Sequence, residues 1–240
     1  MSNTNNYGRF KTWLYSFIPR VISNRLLLSI MQFMRALQRH GAFFAATHHD
    51  LNVKNLSALM SEDISMRLSP FMENQKRLSS LYLGMSTMDK AGCEIIAVYN
   101  ALRALGMDIP LPELIDRFER DGMIYSGRYG VSAYAMRDAL KDAGLTTVTA
   151  HRLTDMAKIL TESAVSILTM YNDKTTIGAE IHSVCISRST DGYLIHNMYG
   201  DGAVLGPYKG FDDMIGTLRG GKTGPILLIG VNTKQENKLC

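Results

Sequence analysis

Apolar residues first recur at helical spacing between Asn24 and Arg39. They follow the i, i+3, i+4, i+7 pattern of one helical face: Leu27, Ile30, Met31, Met34 and Leu37. Arg35, Gln38 and Arg39 lie off this stripe. The pattern predicts a basic amphipathic helix, and it leaves two interpretations open: the helix packs on its own protein, or residues 20–40 contact a membrane surface or an acidic partner.

A stronger helical pattern begins at Cys93. In the segment CEIIAVYNALRALG the apolar positions form a stripe, and Gly106 is placed to end the helix. Two more helices are predicted downstream, one at residues 112–122 that starts with Pro112 and one at residues 131–144 that ends at Gly144.

The pattern then changes to strands separated by Asp-Gly, Gly-Asp-Gly and Gly-Gly turns. The predicted strands read TTVTAHRL, AVSILTMY, HSVCISR, GYLIHNMY and GPILLIGV. Helices followed by a run of strands predict an α+β fold, with N-terminal helices packed on a mostly antiparallel sheet. We therefore expect a helical, basic N-terminal extension at residues 1–84, a domain at residues 85–233 and a polar tail at residues 234–240.

Charge is unevenly distributed along the chain. The 240 residues carry a formal net charge of +4, yet no Asp or Glu occurs before Asp50, while six Arg or Lys residues fall in that stretch. A basic arm on a near-neutral body does not indicate a protein dedicated to nucleic acid. No nucleic-acid partner is expected.

The three cysteines, Cys93, Cys185 and Cys240, are too few and too scattered for a disulfide framework or a spaced zinc site. No secretory signal and no apolar stretch of about 20 residues is apparent. The sequence thus predicts a cytoplasmic protein, with membrane association through the basic helix as an added option. We expect Cys185 to be a core residue.

Cys93 is the candidate nucleophile because it stands at the first turn of a predicted helix. There the unpaired amide groups and the helix dipole favour negative charge, so the thiol pKa is expected to be lowered. A catalytic cysteine also needs a base, which comes from elsewhere in the chain. The candidates are His151, His182 and His196.

His182 is the preferred base because it opens a predicted strand directly after a polar turn. Fifteen residues later, Asn197 lies in the paired strand, where its side-chain carbonyl is expected to accept from the far ring nitrogen of His182. His196 alternates onto the opposite face from Asn197, so both cannot face Cys93 in a regular strand.

These residues resemble papain-like cysteine peptidases, nearest the branch that trims leaders from bacteriocin precursors. The resemblance covers residues 85–233 and rests on order and spacing: AGCEIIAVYNAL, SILTM, HSVCISR, YLIHNMYG, YKGFDDMI and ILLIGV. It implies a papain-like fold with Cys93 as nucleophile, His182 as general base and acid, and Asn197 as the residue that orients His182. The implied enzyme takes a peptide or protein substrate and needs no cofactor and no metal.

One departure from the family concerns the oxyanion. The family usually carries a Gln about six residues before the nucleophile, and here that neighbourhood reads Ser86-Thr87-Met88-Asp89. A hydroxyl of Ser86 or Thr87 is the candidate replacement. Losing an oxyanion donor lowers the rate by about 100- to 1000-fold, so efficiency and substrate class are open.

The sequence leaves three functions open: a cysteine peptidase that processes a peptide precursor, an amidase or acyltransferase with the same triad, and a catalytically weak peptide-binding module.

A further motif, GTLRGGKT at residues 216–223, matches the P-loop pattern. A P-loop needs a following helix, but Gly224-Pro225 leads into a predicted strand, so we interpret this segment as a turn.

Overall fold

We describe a computed structural model of the chain over residues 22–40, 54–57, 71–175, 180–199 and 202–234. Within these ranges the fold is α+β, as the sequence predicts. The helices are α1 (Asn24–Arg39), α2 (Met88–Ala91), α3 (Cys93–Ala104), α4 (Leu111–Arg120), α5 (Ala133–Asp142), α6 (Leu153–Glu162) and α7 (Phe211–Thr217). Two 3₁₀ turns span Gln75–Leu78 and Leu218–Gly221.

The strands form a two-stranded ribbon and a six-stranded sheet. The ribbon consists of β1 (Tyr82–Leu83) and β2 (Ser86–Thr87). The sheet consists of β3 (Thr146–Ala150), β4 (Val165–Tyr171), β5 (Ile181–Ser189), β6 (Gly192–His196), β7 (Leu205–Tyr208) and β8 (Gly224–Asn232). Its order is β3-β8-β4-β5-β6-β7, and all of these neighbours pair antiparallel.

Helices cover both faces of the sheet. On one face, α3, α4 and α5 build a large apolar cluster with inward residues of the strands, among them Cys185. On the other face, α6 and α7 pack over a second cluster that includes Val184 and Ile186. Because side chains alternate along β5, Cys185 lies in the first cluster and its neighbours lie in the second. The prediction that Cys185 is a core residue is confirmed.

Helix α1 has the predicted bounds but a different buried face. Leu27 and Leu28 enter the main core, whereas Ile30, placed on the buried stripe from the sequence, is 43% exposed. Arg35, predicted to lie off the stripe, is 2% exposed. Its guanidinium bonds Asp121 at 3.0 Å and Asp138 at 2.7 Å. The buried face thus combines part of the predicted stripe, Leu27 and Met31, with the ion-paired Arg35, and packing of the helix on its own protein is confirmed.

Residues before and after Met85 pack in the same hydrophobic core. Leu78, Leu81 and Leu83 are fully buried in the same cluster as α3 and α5. The part of the predicted extension that the structure describes is thus built into the body rather than separate from it. Of the polar tail, residues 235–240 lie outside the described ranges.

The P-loop-like segment folds as a turn, as expected. Helix α7 ends at Thr217, a 3₁₀ turn covers Leu218–Gly221, and strand β8 follows. Across the described ranges, no helix is both long enough and apolar enough to cross a membrane.

Candidate active site

Cys93 is the first residue of α3, the central helix of the main core. Gly92 caps this helix, and a Cβ at Gly92 would lie 2.6 Å from the carbonyl oxygen of Met88. Only glycine fits where the short helix α2 runs so closely into α3. This junction places the thiol at the helix N-terminus, and Cys93 is 7% exposed.

The Cys93 thiol donates to the Glu94 carboxylate, with 3.3 Å between Sγ and Oε2. Burial, and secondly the charge of Glu94, raise the pKa of the thiol well above its usual value. Backbone N–H groups of Ser183 and Glu94 act in the opposite direction but are weaker. The expectation of a lowered thiol pKa is therefore wrong, because the helix dipole is outweighed by desolvation and a neighbouring carboxylate.

Glu94 is itself buried, at 5% exposure. Burial raises the pKa of its carboxyl to about 7, although the backbone N–H of Val131 favours the ionised form. A Cβ at Gly130 would come within 3.2 Å of Glu94 Oε2, so this glycine lets the 123–131 loop close over the carboxylate. Sequence reasoning missed Glu94, because an acidic residue in a first helical turn is ordinarily explained by the helix dipole.

His182 lies near the start of β5, next to Ser183, whose backbone faces the Cys93 thiol. Its Nε2 lies 2.7 Å from the backbone carbonyl oxygen of Asn197. Since a carbonyl only accepts, Nε2 carries the proton of the neutral ring and Nδ1 keeps its lone pair. Burial first, and the charge of Arg219 last, lower the pKa of His182, so the imidazole is neutral at pH 7.

Asn197 orients His182, but through a different atom from the one predicted. The residue follows β6 with a left-handed backbone, φ 61°, which turns its carbonyl toward His182. Its side chain instead pairs with Gln75: Oδ1 accepts from the Gln75 backbone N–H and Nδ2 donates to Gln75 Oε1, both at 3.1 Å. The predicted side-chain bond to His182 is therefore replaced by a main-chain bond.

Gln75 connects this pair to α2, the short helix that precedes Cys93. Its Nε2 donates to the carbonyl oxygen of Asp89 at 3.0 Å, four residues before Cys93. Gln75 is 8% exposed and lies eighteen residues upstream of Cys93 in the sequence. No local pattern marks it, since its role exists only after the chain has folded.

His196, the residue before Asn197, also contacts the 71–75 segment, through Glu73. His196 Nδ1 lies 2.5 Å from Glu73 Oε1, and its Nε2 lies 2.7 Å from Ser187 Oγ. The second Glu73 oxygen accepts from the backbone N–H of Asn197 at 2.9 Å, and Phe71 stacks on the His196 ring. Glu73 thereby ties the 71–75 segment to the end of β6.

The other sequence candidates lie elsewhere. His151 follows β3, three strands away from β5, and its Nε2 lies 3.5 Å from the Tyr134 hydroxyl oxygen. Ser86 and Thr87 form β2, with the four-residue helix α2 between them and Cys93. Within the described ranges, no cluster of three His, Cys, Asp or Glu side chains is arranged to hold a metal ion.

Together the arrangement supplies a thiol, a neutral imidazole with one fixed ring nitrogen, and a buried carboxylate. Among the described residues, no hydrogen bond joins Cys93 Sγ to the His182 ring, and the thiol proton is held by Glu94. The resting site is thus protonated at sulfur and unprotonated at His182 Nδ1.

Comparison with models of known protein families gives no match for this chain, and comparison with curated proteins gives none either.

Proposed function

We propose that the chain is a papain-like cysteine hydrolase, and specifically a peptidase that processes a peptide precursor. Cys93 is the nucleophile, His182 the general base and acid, and Asn197 the residue that orients the imidazole. The proposal is supported by the 2.7 Å hydrogen bond from His182 Nε2 to the Asn197 carbonyl oxygen. The residue after His182, Ser183, forms a backbone hydrogen bond with the Cys93 thiol. The hydrogen bond to Asn197 leaves the basic nitrogen free.

The reaction is acyl transfer. Cys93 Sγ attacks the scissile carbonyl while its proton passes to His182 Nδ1, and the resulting imidazolium protonates the leaving amine as the C–N bond breaks. Water, deprotonated by the neutral imidazole, then attacks the thioester and releases the acid and the free thiol. No cofactor enters these steps.

A neutral resting thiol is compatible with this reaction because His182 is neutral as well. The lowered pKa of His182 keeps the ring as a free base at pH 7, ready to accept the proton that the raised thiol pKa retains on sulfur. The pair therefore acts by general-base transfer during attack, rather than through a preformed thiolate.

The same groups serve an amidase or acyltransferase, in which an amine replaces water as the acceptor. A third function, a peptide-binding module of low activity, is favoured by one observation. The thiol is buried beside a carboxylate, an environment that opposes thiolate formation.

The test is a peptide library incubated with the parent protein and read by mass spectrometry, with Cys93→Ala, His182→Ala and Cys185→Ala as variants. A peptidase loses cleavage in the first two and keeps it in the third, which removes a buried thiol that has no catalytic role. A transferase breaks the same C–N bond only when an amine acceptor is added, and the acyl group is then recovered on that amine, whereas a peptidase releases the free acid in water alone. Peptides bound without any acyl product, equally in parent and Cys93→Ala, identify the binding module.

A further inference from the structure

The turn that contains Arg219 lies at the end of the sheet where His182 is located. Gly224, where β8 begins, pairs with Tyr171, and Tyr171 pairs with Ile181, the neighbour of His182. The Leu218–Gly221 turn leads directly into this point. Arg219 in that turn therefore lies at the edge of the candidate active site.

Arg219 is held in place by an aromatic residue. Its guanidinium lies over the Tyr199 ring, 4.8 Å from the centroid, and its backbone N–H donates to the Tyr199 hydroxyl at 3.3 Å. Tyr199 is two residues beyond Asn197, whose carbonyl binds His182. The same short segment thus positions both the imidazole and the arginine.

The backbone of this turn is strained. Arg219 has φ 53° and ψ 33°, a left-handed conformation, and the following Gly220 and Gly221 are left-handed too. A non-glycine residue in this region is destabilising, and such positions concentrate at ligand-binding sites. A glycine at position 219 would avoid the strain.

Charge around Arg219 is positive. None of the ion pairs among the described residues involves Arg219, which is exposed. Lys174 and Lys222 stand on the two turns that touch here, where the Lys174 backbone N–H donates to the Lys222 carbonyl at 2.8 Å. The acidic neighbour, Asp173, is engaged by Thr175, and its pKa is lowered by that hydroxyl first and by the two lysines last.

We propose that Arg219 is a carboxylate-binding residue beside His182, so that the preferred substrates carry an acidic group next to the scissile bond. The inference rests on the proposed function and names its substrate class. A planar guanidinium binds a carboxylate through two parallel N–H···O bonds, and stacking on Tyr199 restricts the arginine to few conformations before the substrate arrives.

The charge of Arg219 already acts on the catalytic imidazole. It contributes to the lowered pKa of His182, after burial. A bound carboxylate would neutralise that charge and make His182 a stronger base at the moment of attack. Substrate binding and base strength are thereby coupled through one residue.

The experiment compares two alkylating reagents at Cys93 that differ in charge, iodoacetate and iodoacetamide. Each forms an Sγ–carbon bond and releases iodide. In Arg219→Gln the ratio of the iodoacetate rate to the iodoacetamide rate is expected to fall about threefold to tenfold, because the anion loses its attraction. Arg219→Lys, which keeps the charge, should retain most of the ratio.

The matched control is Arg152→Gln. Arg152 is an exposed arginine that already pairs with Asp155, and it follows β3, three strands away from β5. Its removal should leave the ratio unchanged. Thermal melting of each variant verifies the fold.

The outcomes separate this inference from the function on which it rests. If alkylation of Cys93 depends on His182 but the ratio is the same in parent and Arg219→Gln, the carboxylate subsite is wrong and the hydrolase stands. If alkylation of Cys93 is indifferent to His182→Ala, the proposed function falls and the subsite falls with it. A selective loss of iodoacetate reactivity in Arg219→Gln supports the carboxylate subsite, and a loss of Cys93 alkylation in His182→Ala supports the proposed function.

Discussion

Cys93 and Glu94 form a pair of adjacent buried acids, and burial raises the pKa of both. Sγ and Oε2 are 3.3 Å apart, and the carboxyl pKa of about 7 lies below that of the thiol. The carboxyl therefore ionises before the thiol does. Cys93 is thus held in a neutral state, hydrogen-bonded to Glu94.

Replacing Glu94 should make Cys93 more reactive. In Glu94→Gln the repelling charge is gone, so the pKa of the thiol should fall, and iodoacetamide should react about tenfold faster at pH 8. Glu119→Gln is the matched control: this second buried carboxyl also has a pKa raised to about 7, but it bonds Gly84 rather than the thiol. Slower alkylation in Glu94→Gln would instead identify Glu94 as the proton acceptor.

The sequence identifies Cys93, His182 and Asn197, but not how they are joined. A helix start after Gly92 and a strand start after a polar turn are local patterns. The Gln75–Asn197 pair spans 122 residues, and the main-chain bond to His182 depends on a left-handed residue that the sequence does not mark. Local spacing indicates which residues to consider, but only the folded backbone decides which atom acts.

At the scale of elements, α1 is anchored to the body by polar contacts as much as by apolar ones. Arg35 bonds Asp121 and Asp138, and Gln32 accepts from the Ser132 hydroxyl at 3.1 Å. The helix therefore depends on charges that stand on α5 and just after α4.

Removing Arg35 should destabilise the protein. Arg35→Ala leaves Asp121 and Asp138 without their buried partner and should lower the free energy of unfolding by about 2 kcal/mol, less than for a fully buried pair because both carboxylates are partly exposed. Arg39→Ala removes an arginine that is 58% exposed and pairs with the same Asp121, so it should cost under about 0.5 kcal/mol. Urea denaturation measures both. Equal losses in the two variants would contradict the anchoring role of Arg35.

Helix α6 depends on a glycine in the central strand β8. A Cβ at Gly230 would lie 2.1 Å from Ser163 Oγ and 2.4 Å from Ile159 Cγ2. Gly230→Ala should therefore lower the free energy of unfolding by about 2 kcal/mol, through displacement of α6. Gly216→Ala, at a helical glycine with open space around its added Cβ, should be neutral or slightly stabilising. If urea denaturation gives the two variants the same stability, the close contact at Gly230 is not structurally important.

Helices and strands with a strong hydrophobic periodicity are predicted from the sequence, whereas elements without such a periodicity are not. The helices at α1, α3, α4 and α5 and the strands β3, β4, β5, β6 and β8 all appear where the pattern indicates. Helix α6 was overlooked because the predicted strand TTVTAHRL was continued through Leu153, where the helix begins. Strand β7 carries Gly206 and Pro207 within four residues, a composition that is typical of a turn.

In the molecule as a whole, the candidate site combines parts of the chain that are far apart in sequence. The 71–75 segment, the start of α3, strand β5 and the residue that follows β6 are joined there by hydrogen bonds. Two carboxyls lie buried in the body: Glu94 beside Cys93, and Glu119, which accepts from the Gly84 N–H at 2.9 Å. Their raised pKa values link the stability of the fold to pH.

The contribution of Glu119 to the free energy of unfolding should fall as pH rises from about 4.5 through 7. Burial raises the pKa of Glu119 from 4.5 to about 7, so the folded state keeps a proton in this window that the unfolded state releases. The stabilising contribution is complete below the unfolded pKa and is lost as pH passes the folded pKa. Glu119→Gln removes this dependence, so urea denaturation should show the variant gaining on the parent between pH 5 and pH 8. A stability difference that does not change with pH would contradict the buried, proton-retaining carboxyl.

The claim that His182 is the base for Cys93 has its sharpest test in the pH dependence of Cys93 alkylation by iodoacetamide, in the parent and in His182→Ala. We expect a plateau of reactivity in the parent that begins below pH 6.5, where the neutral imidazole takes the thiol proton, and a second rise at alkaline pH from the free thiolate. In His182→Ala the plateau should vanish and the alkaline rise should remain. Superimposable profiles for the two proteins would contradict the claim.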